Sequence, residues 1–190
     1  MKDSQNFEMV KMLLNYAKKE ILTNKSVSIP AQFDIDSMKL VDISEDIGLV
    51  SGSWEKKYSR AYTRQYGRKF GNASFLFGLT DGGWCRRIPG NITTVTSGLE
   101  WITPNQVKVA KSKNKSTYRQ GDMYFVPMRI THHQFQILTS TRHTVVEGSI
   151  AGVVVVRHPQ HELLCLPVLD KNEHYRAFQA RVLSETWTDD

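Results

Sequence analysis

Cysteine is scarce in this 190-residue chain. Cys85 and Cys165 are its only two thiols, too few and too far apart for a disulfide framework, and they fit a reducing compartment. Long apolar runs are also missing. The longest, Ile150 to Val156, has strand length and contains a glycine, whereas a membrane span needs about 18 apolar residues. Asp3, Glu8 and Lys11 interrupt the basic-then-apolar layout of a secretory leader, so the expected compartment is the cytoplasm, with no membrane as partner. Several signatures of known chemistry are absent: GxSxG, a glycine-rich phosphate loop, a dinucleotide fingerprint, HExxH and paired CxxC. Nucleotide cofactors are therefore not expected. A cysteine nucleophile is not expected either, because Cys165 sits within Leu163-Leu164-Cys165-Leu166 and reads as a buried, inert thiol. With 40% hydrophobic residues and this length, residues 1–190 are expected to form one domain with its own core.

What the chain does have is an uneven distribution of charge. Its formal net charge is +6, yet Lys56 to Gly121 carries thirteen Lys or Arg against only Asp81 and Glu100. A basic middle between mildly acidic ends suits a polyanionic partner.

Within that middle, Trp54, Tyr58, Tyr62, Tyr66 and Phe70 recur every four residues, and Lys56, Arg60, Arg64 and Arg68 recur at the same interval between them. On one extended strand all nine would share a face, because side chains alternate with period two. Such a face would stack bases on rings and pair phosphates with cations, which fits a single-stranded or RNA ligand. On a helix the same spacing gives an oblique aromatic stripe for docking on the protein body. The Tyr, Thr and Trp content favours strand.

Along the rest of the chain, Phe7, Val10, Leu13, Leu14, Ala17 and Ile21 place an amphipathic helix over residues 3–23. Short β-prone pieces follow at Val27 to Ile29, Lys39 to Ile43 and Ile47 to Val50. The turn Thr80-Asp81-Gly82-Gly83 then joins Ser74–Leu79 to Trp84–Ile88 as a hairpin within a basic aromatic β region, 47–90. Arg86 and Arg87 would extend the cationic surface from its return strand. A helical pair is expected over 94–113, from Thr94 or Thr96 through Ile102 and again after Thr103-Pro104, without the features of a DNA-reading helix-turn-helix. Residues 117–185 read as β: Asp122 to Arg129, Phe135 to Leu138, His143 to Val146, Ile150 to Arg157 and Leu163 to Leu166, closed by a strand or helix from Tyr175 to Val182. The fold class expected is α+β, a mainly antiparallel sheet or partly closed β-barrel with an N-terminal amphipathic helix and a short helical pair.

All six histidines lie after residue 131. His143, His158 and His161 are candidate ligands for zinc or manganese, with Cys165, Glu147 and Glu162 nearby in sequence. The competing reading is imidazoles that hydrogen-bond backbone at strand ends. His132-His133 reads as an exposed loop.

Two stretches carry a resemblance. Arg119-Gln120-Gly121-Asp122-Met123-Tyr124-Phe125-Val126-Pro127 and Arg157-His158-Pro159-Gln160-His161-Glu162-Leu163-Leu164-Cys165-Leu166-Pro167 are similar to segments of a family of short bacterial and phage proteins of unassigned activity. Where those proteins typically read Thr-Gly-His-x-His, this chain has Thr141-Arg142-His143-Thr144. The resemblance covers roughly residues 117 to 185 and implies a β-rich fold.

Three functions remain open from sequence. The first is a nucleic-acid-binding protein using Trp54, Lys56, Tyr58, Arg60, Tyr62, Arg64, Tyr66, Arg68, Arg86 and Arg87. The second is a metal-dependent hydrolase, a nuclease or phosphoesterase, using His143, His158 and His161. The third is a structural or accessory component of a phage or bacterial assembly, with a protein partner or further copies of itself. Whether the chain is an enzyme stays undecided at this level.

Overall fold

The computed structural model describes residues 2–23, 27, 29–30, 32–56, 69–79, 84–147, 153–181 and 183. The expected class holds: the protein is α+β, with three helices among the described residues and strands paired antiparallel. Among the described residues the sheets are separate and none closes into a barrel. The chain divides into two compact units. One holds residues 1–79, 84–102 and 182–190, the other 80–83 and 103–181.

In the first unit, β1 (Lys39–Ser44), β2 (Ile47–Lys56), β3 (Lys69–Gly78) and β4 (Trp84–Ile88) form a sheet in that spatial order. The expected hairpin strand Trp84–Ile88 is found with those bounds. Helix α1 (Lys2–Thr23) buries Leu13, Ala17 and Ile21, spaced by four as one helical face requires. Ala17 and Ile21 join Val50, Phe75, Phe77 and Cys85 on one side of the sheet. Helix α2 (Val95–Ile102) covers the other side, where Gly98 lies against Leu76 and Ile88. Thr94 caps α2 by accepting from Ser97 N, and Asp42 Oδ2 accepts from Val95 N at 2.7 Å. Both faces of β4 and of the part of β3 paired with it are thus covered, and Phe75, Leu76 and Phe77 are all fully buried, each contributing roughly 1.5–3 kcal/mol by burial.

The second unit begins with α3 (Asn105–Ser112). Pro104, not Thr103, takes the N-cap position, because its extended backbone (φ −59°, ψ 147°) precedes the first helical residue. Two three-stranded sheets follow. One is ordered β10 (His174–Gln179), β6 (Met123–Met128), β5 (Tyr118–Gln120), and the other β7 (Thr144–Glu147), β8 (Val154–His158), β9 (His161–Leu166). Their buried sides share one core of Met123, Phe125, Val154, Val156, Leu166, Tyr175 and Ala177.

Some local expectations change. The segment expected as a strand at Phe135–Leu138 is a 3-10 turn over Gln136–Ser140, and Val27 to Ile29 forms no strand among its described residues. His133 is half-buried, its ring nearly parallel to Phe135 and Tyr175 at centroid distances of 5.3 and 5.9 Å. Cys165 is exposed, because β9 is an edge strand with an open outer side, whereas Cys85 is the buried thiol, its pKa pushed up to about 12 by burial.

Candidate metal centre

The β8–β9 hairpin brings two histidines together. Pro159 and Gln160 form its turn, and His158 pairs directly with His161 across it. Counting back from Val156 paired with Leu164, β9 contains one residue more than β8 in this stretch, so the register shifts between Val156 and His158. That bulge decides which way His161 faces. Without it His161 would alternate with Leu163 and Cys165 on the outer side. With it, His161 joins His158 on the side of Val154 and Val156.

His143, immediately before β7, supplies the third imidazole and is only 5% exposed. Ring centroids lie 4.5 Å apart for His143 and His158, 4.2 Å for His158 and His161, and 5.8 Å for His143 and His161. One nitrogen from each ring falls within 4.8 Å of the others, which makes this a three-donor group able to hold a metal ion. Tetrahedral zinc at about 2.0–2.1 Å from each nitrogen sets ligands roughly 3.4 Å apart, so capture requires the rings to draw in by side-chain rotation.

Burial and neighbouring charge favour the neutral form of His158, the form that binds metal. The pKa of His158 is lowered to about 4, first by burial, then by the neighbouring His161 and His143 and by the Arg142 charge, with Asp122 pulling the other way. His143 Nδ1 lies 3.1 Å from Thr141 Oγ1, a contact that leaves Nε2 as ligand when Nδ1 holds the proton. At His158, Nδ1 accepts from Gln160 N at 3.1 Å. Metal capture there either replaces this hydrogen bond or proceeds through Nε2 with the bond kept. Losing it costs about 1 kcal/mol, little beside the order of 10 kcal/mol released at a zinc site.

The turn between β5 and β6 closes the group from below. Gly121 has a positive φ of 56°, and a Cβ there would lie 2.9 Å from His161 Cε1 and closer still to Nε2. Only glycine admits both that backbone and that ring. Gln120, 2% exposed, donates from Nε2 to Val156 O at 3.3 Å and also to Glu162 O. Arg119 Nε donates to Gly121 O at 2.8 Å, and Asp122 Oδ2 accepts from Gln179 Nε2 at 2.9 Å. Residues from the two stretches that carry the sequence resemblance, 119–122 and 158–161, therefore meet at one place.

The nucleic-acid candidates fall elsewhere. Trp54 lies in β2, half-buried, its ring packed over Gly71 and its Nε1 buried with no hydrogen bond to any described residue. Lys56 ends β2. Tyr58, Arg60, Tyr62, Arg64, Tyr66 and Arg68 lie outside the described residues. Phe70 is 79% exposed and pairs with Glu55, one position out of step with the Trp54–Gly71 pair, so Trp54 and Phe70 project from opposite faces of two neighbouring strands. The ends of the aromatic set thus do not share the single face expected of one continuous strand. Arg86 and Arg87 pair beside β3 as expected but are 5% and 8% exposed. Arg86 shares the side of Leu76 and Ile88, Arg87 that of Phe75, and both sides are covered. Cys165, paired with Val155 on the exposed side of β9, does not join the histidines.

Sequence reasoning found the three histidines but missed Gln120 and Gly121 as parts of the site. The signal was the glycine within Arg119-Gln120-Gly121-Asp122 at a strand end, where a positive φ is expected. In comparisons with protein-family models, curated proteins and solved structures, the chain matches none.

Proposed function

We propose that the chain is a metal-dependent hydrolase of phosphate esters, with His143, His158 and His161 as ligands of one divalent ion, zinc or manganese. The convergence of these three imidazoles, from the start of β7 and from the β8–β9 hairpin, carries this reading. Three imidazole donors suit zinc, and three protein ligands would leave a fourth position for water. A divalent ion held by the three imidazoles would supply Lewis acidity and activate water toward a phosphodiester. Arg142, whose charge reaches His158, and the cations between Lys56 and Gly121 other than the buried Arg86 and Arg87 favour an anionic substrate, with a nucleic-acid strand as the polymeric case.

Metal analysis of protein purified without a histidine tag and dialysed against zinc or manganese tests the centre. One ion per chain is expected, falling to none in His158→Ala with His161→Ala. Hydrolysis of bis(p-nitrophenyl) phosphate and of labelled single-stranded RNA, sensitive to chelator and to the same substitutions, is the expected activity. Protein that takes up no stoichiometric metal overturns the reading.

A further inference from the structure

Gln120 stands out because it is a polar side chain, 2% exposed, whose hydrogen bonds lead to both strands that carry the paired histidines. Its Nε2 donates to Val156 O on β8 and to Glu162 O on β9. Val156 precedes His158 by two residues, and Glu162 follows His161 directly. The register shift lies between these points. A bulge interrupts the regular exchange of ladder hydrogen bonds and leaves carbonyls that need other donors. Since two carbonyls are the partners, the amide group facing them has to be the NH2 end, which fixes the orientation of the side chain.

That orientation has a cost. Gln120 Oε1 is buried and accepts no hydrogen bond from the described residues, a desolvation cost set against the two hydrogen bonds that Nε2 makes.

We infer that Gln120 is a positioning residue for the metal centre: its amide clamps the β8–β9 bulge and thereby holds His161 on the same side as His158. The inference rests on the metal-site reading for its functional meaning, but its structural content can be tested with no metal present. Gly121, next in sequence, cradles the His161 ring, so one turn fixes both the strand and the imidazole. Partners behind metal ligands typically change affinity by about 10–100-fold when removed.

The test compares wild type with Gln120→Leu, which keeps the bulk and removes the donors, and with Gln120→Glu, which keeps the shape and places an acceptor against two carbonyls. Two quantities are measured: zinc affinity by competition with a chromophoric chelator, and, in metal-free protein, the nuclear Overhauser effect between the His158 and His161 ring protons. Both variants are expected to bind zinc about 10–100-fold more weakly and to show no ring-to-ring effect while keeping the remaining amide spectrum. Variants that retain the ring-to-ring effect overturn the inference, whatever zinc does. Wild type that binds no zinc overturns the metal reading instead, and disappearance of the effect in the variants would then still support the clamp. If neither variant folds, Gln120 is a core residue and the inference fails.

Discussion

His158 and His161 face each other across a two-residue turn with ring centroids 4.2 Å apart, and the lowered pKa of His158 follows from burial together with that closeness. In the unfolded chain His158 returns to the ordinary histidine value of 6.5, while in the folded protein it stays at about 4. Between these two values the unfolded state binds more protons, so stability falls as pH drops from about 6.5 toward 4 and levels off below that. Thermal melts of metal-free protein across this range are expected to show a falling Tm, with a shallower slope in His158→Gln. An identical slope in the variant would assign the loss to other groups.

Gly121→Ala probes the seat of His161. The substitution places a methyl group against the imidazole and asks alanine to adopt φ 56°, which costs about 1–2 kcal/mol from the backbone alone. A lower urea midpoint and weaker zinc binding are expected together. Loss of stability with unchanged zinc affinity would mean that the His161 ring can move aside without harm to the centre.

The candidate site was only half legible in the sequence, and the missing half is a matter of register. His143, His158 and His161 were visible as residue types, but strict alternation along β9 would have grouped His161 with Cys165, and a single bulge reverses that. Trp84–Ile88 was readable because a glycine-rich turn and β-prone residues agree locally. The burial of Arg86 and Arg87 was not readable, since it depends on α1 and α2 covering opposite faces of one sheet. Phe135 to Leu138 has the apolar content of a strand, yet it is a 3-10 turn in which Leu138 N donates to Phe135 O. Local composition does not separate those outcomes.

Asp42 supports a helix far from it in sequence. Its Oδ2 accepts from Val95 N at the start of α2, and its Oδ1 accepts from Ile43 N at 2.9 Å. Asp42→Ala removes an acceptor from a helix start, a change worth about 0.5–2 kcal/mol. For a chain of this size about 1 kcal/mol shifts Tm by roughly 2–4 °C, so a fall of a few degrees is expected with zinc affinity unaltered. An unchanged Tm would mean that Thr94 alone suffices to cap α2.

The cations of the basic middle separate into two classes with different expected behaviour. Arg86 and Arg87 are buried on the two covered faces of their sheet, so replacing both with Gln is expected to lower Tm, as disruption of buried charged groups does. Arg60 and Arg64 belong to the residues through which we propose contact with a nucleic-acid strand. Replacing both with Ala is expected to weaken binding of labelled single-stranded RNA. The slope of log affinity against log salt should fall by about 0.7 for each phosphate no longer neutralised, or about 1.4 for the pair. Wild-type protein with no RNA affinity at low salt, or an Arg60→Ala, Arg64→Ala variant with the wild-type slope, removes a nucleic-acid strand from the candidate substrates. The metal centre would then act on smaller phosphate esters, which the chelator-sensitive hydrolysis of bis(p-nitrophenyl) phosphate reads independently of any polymer.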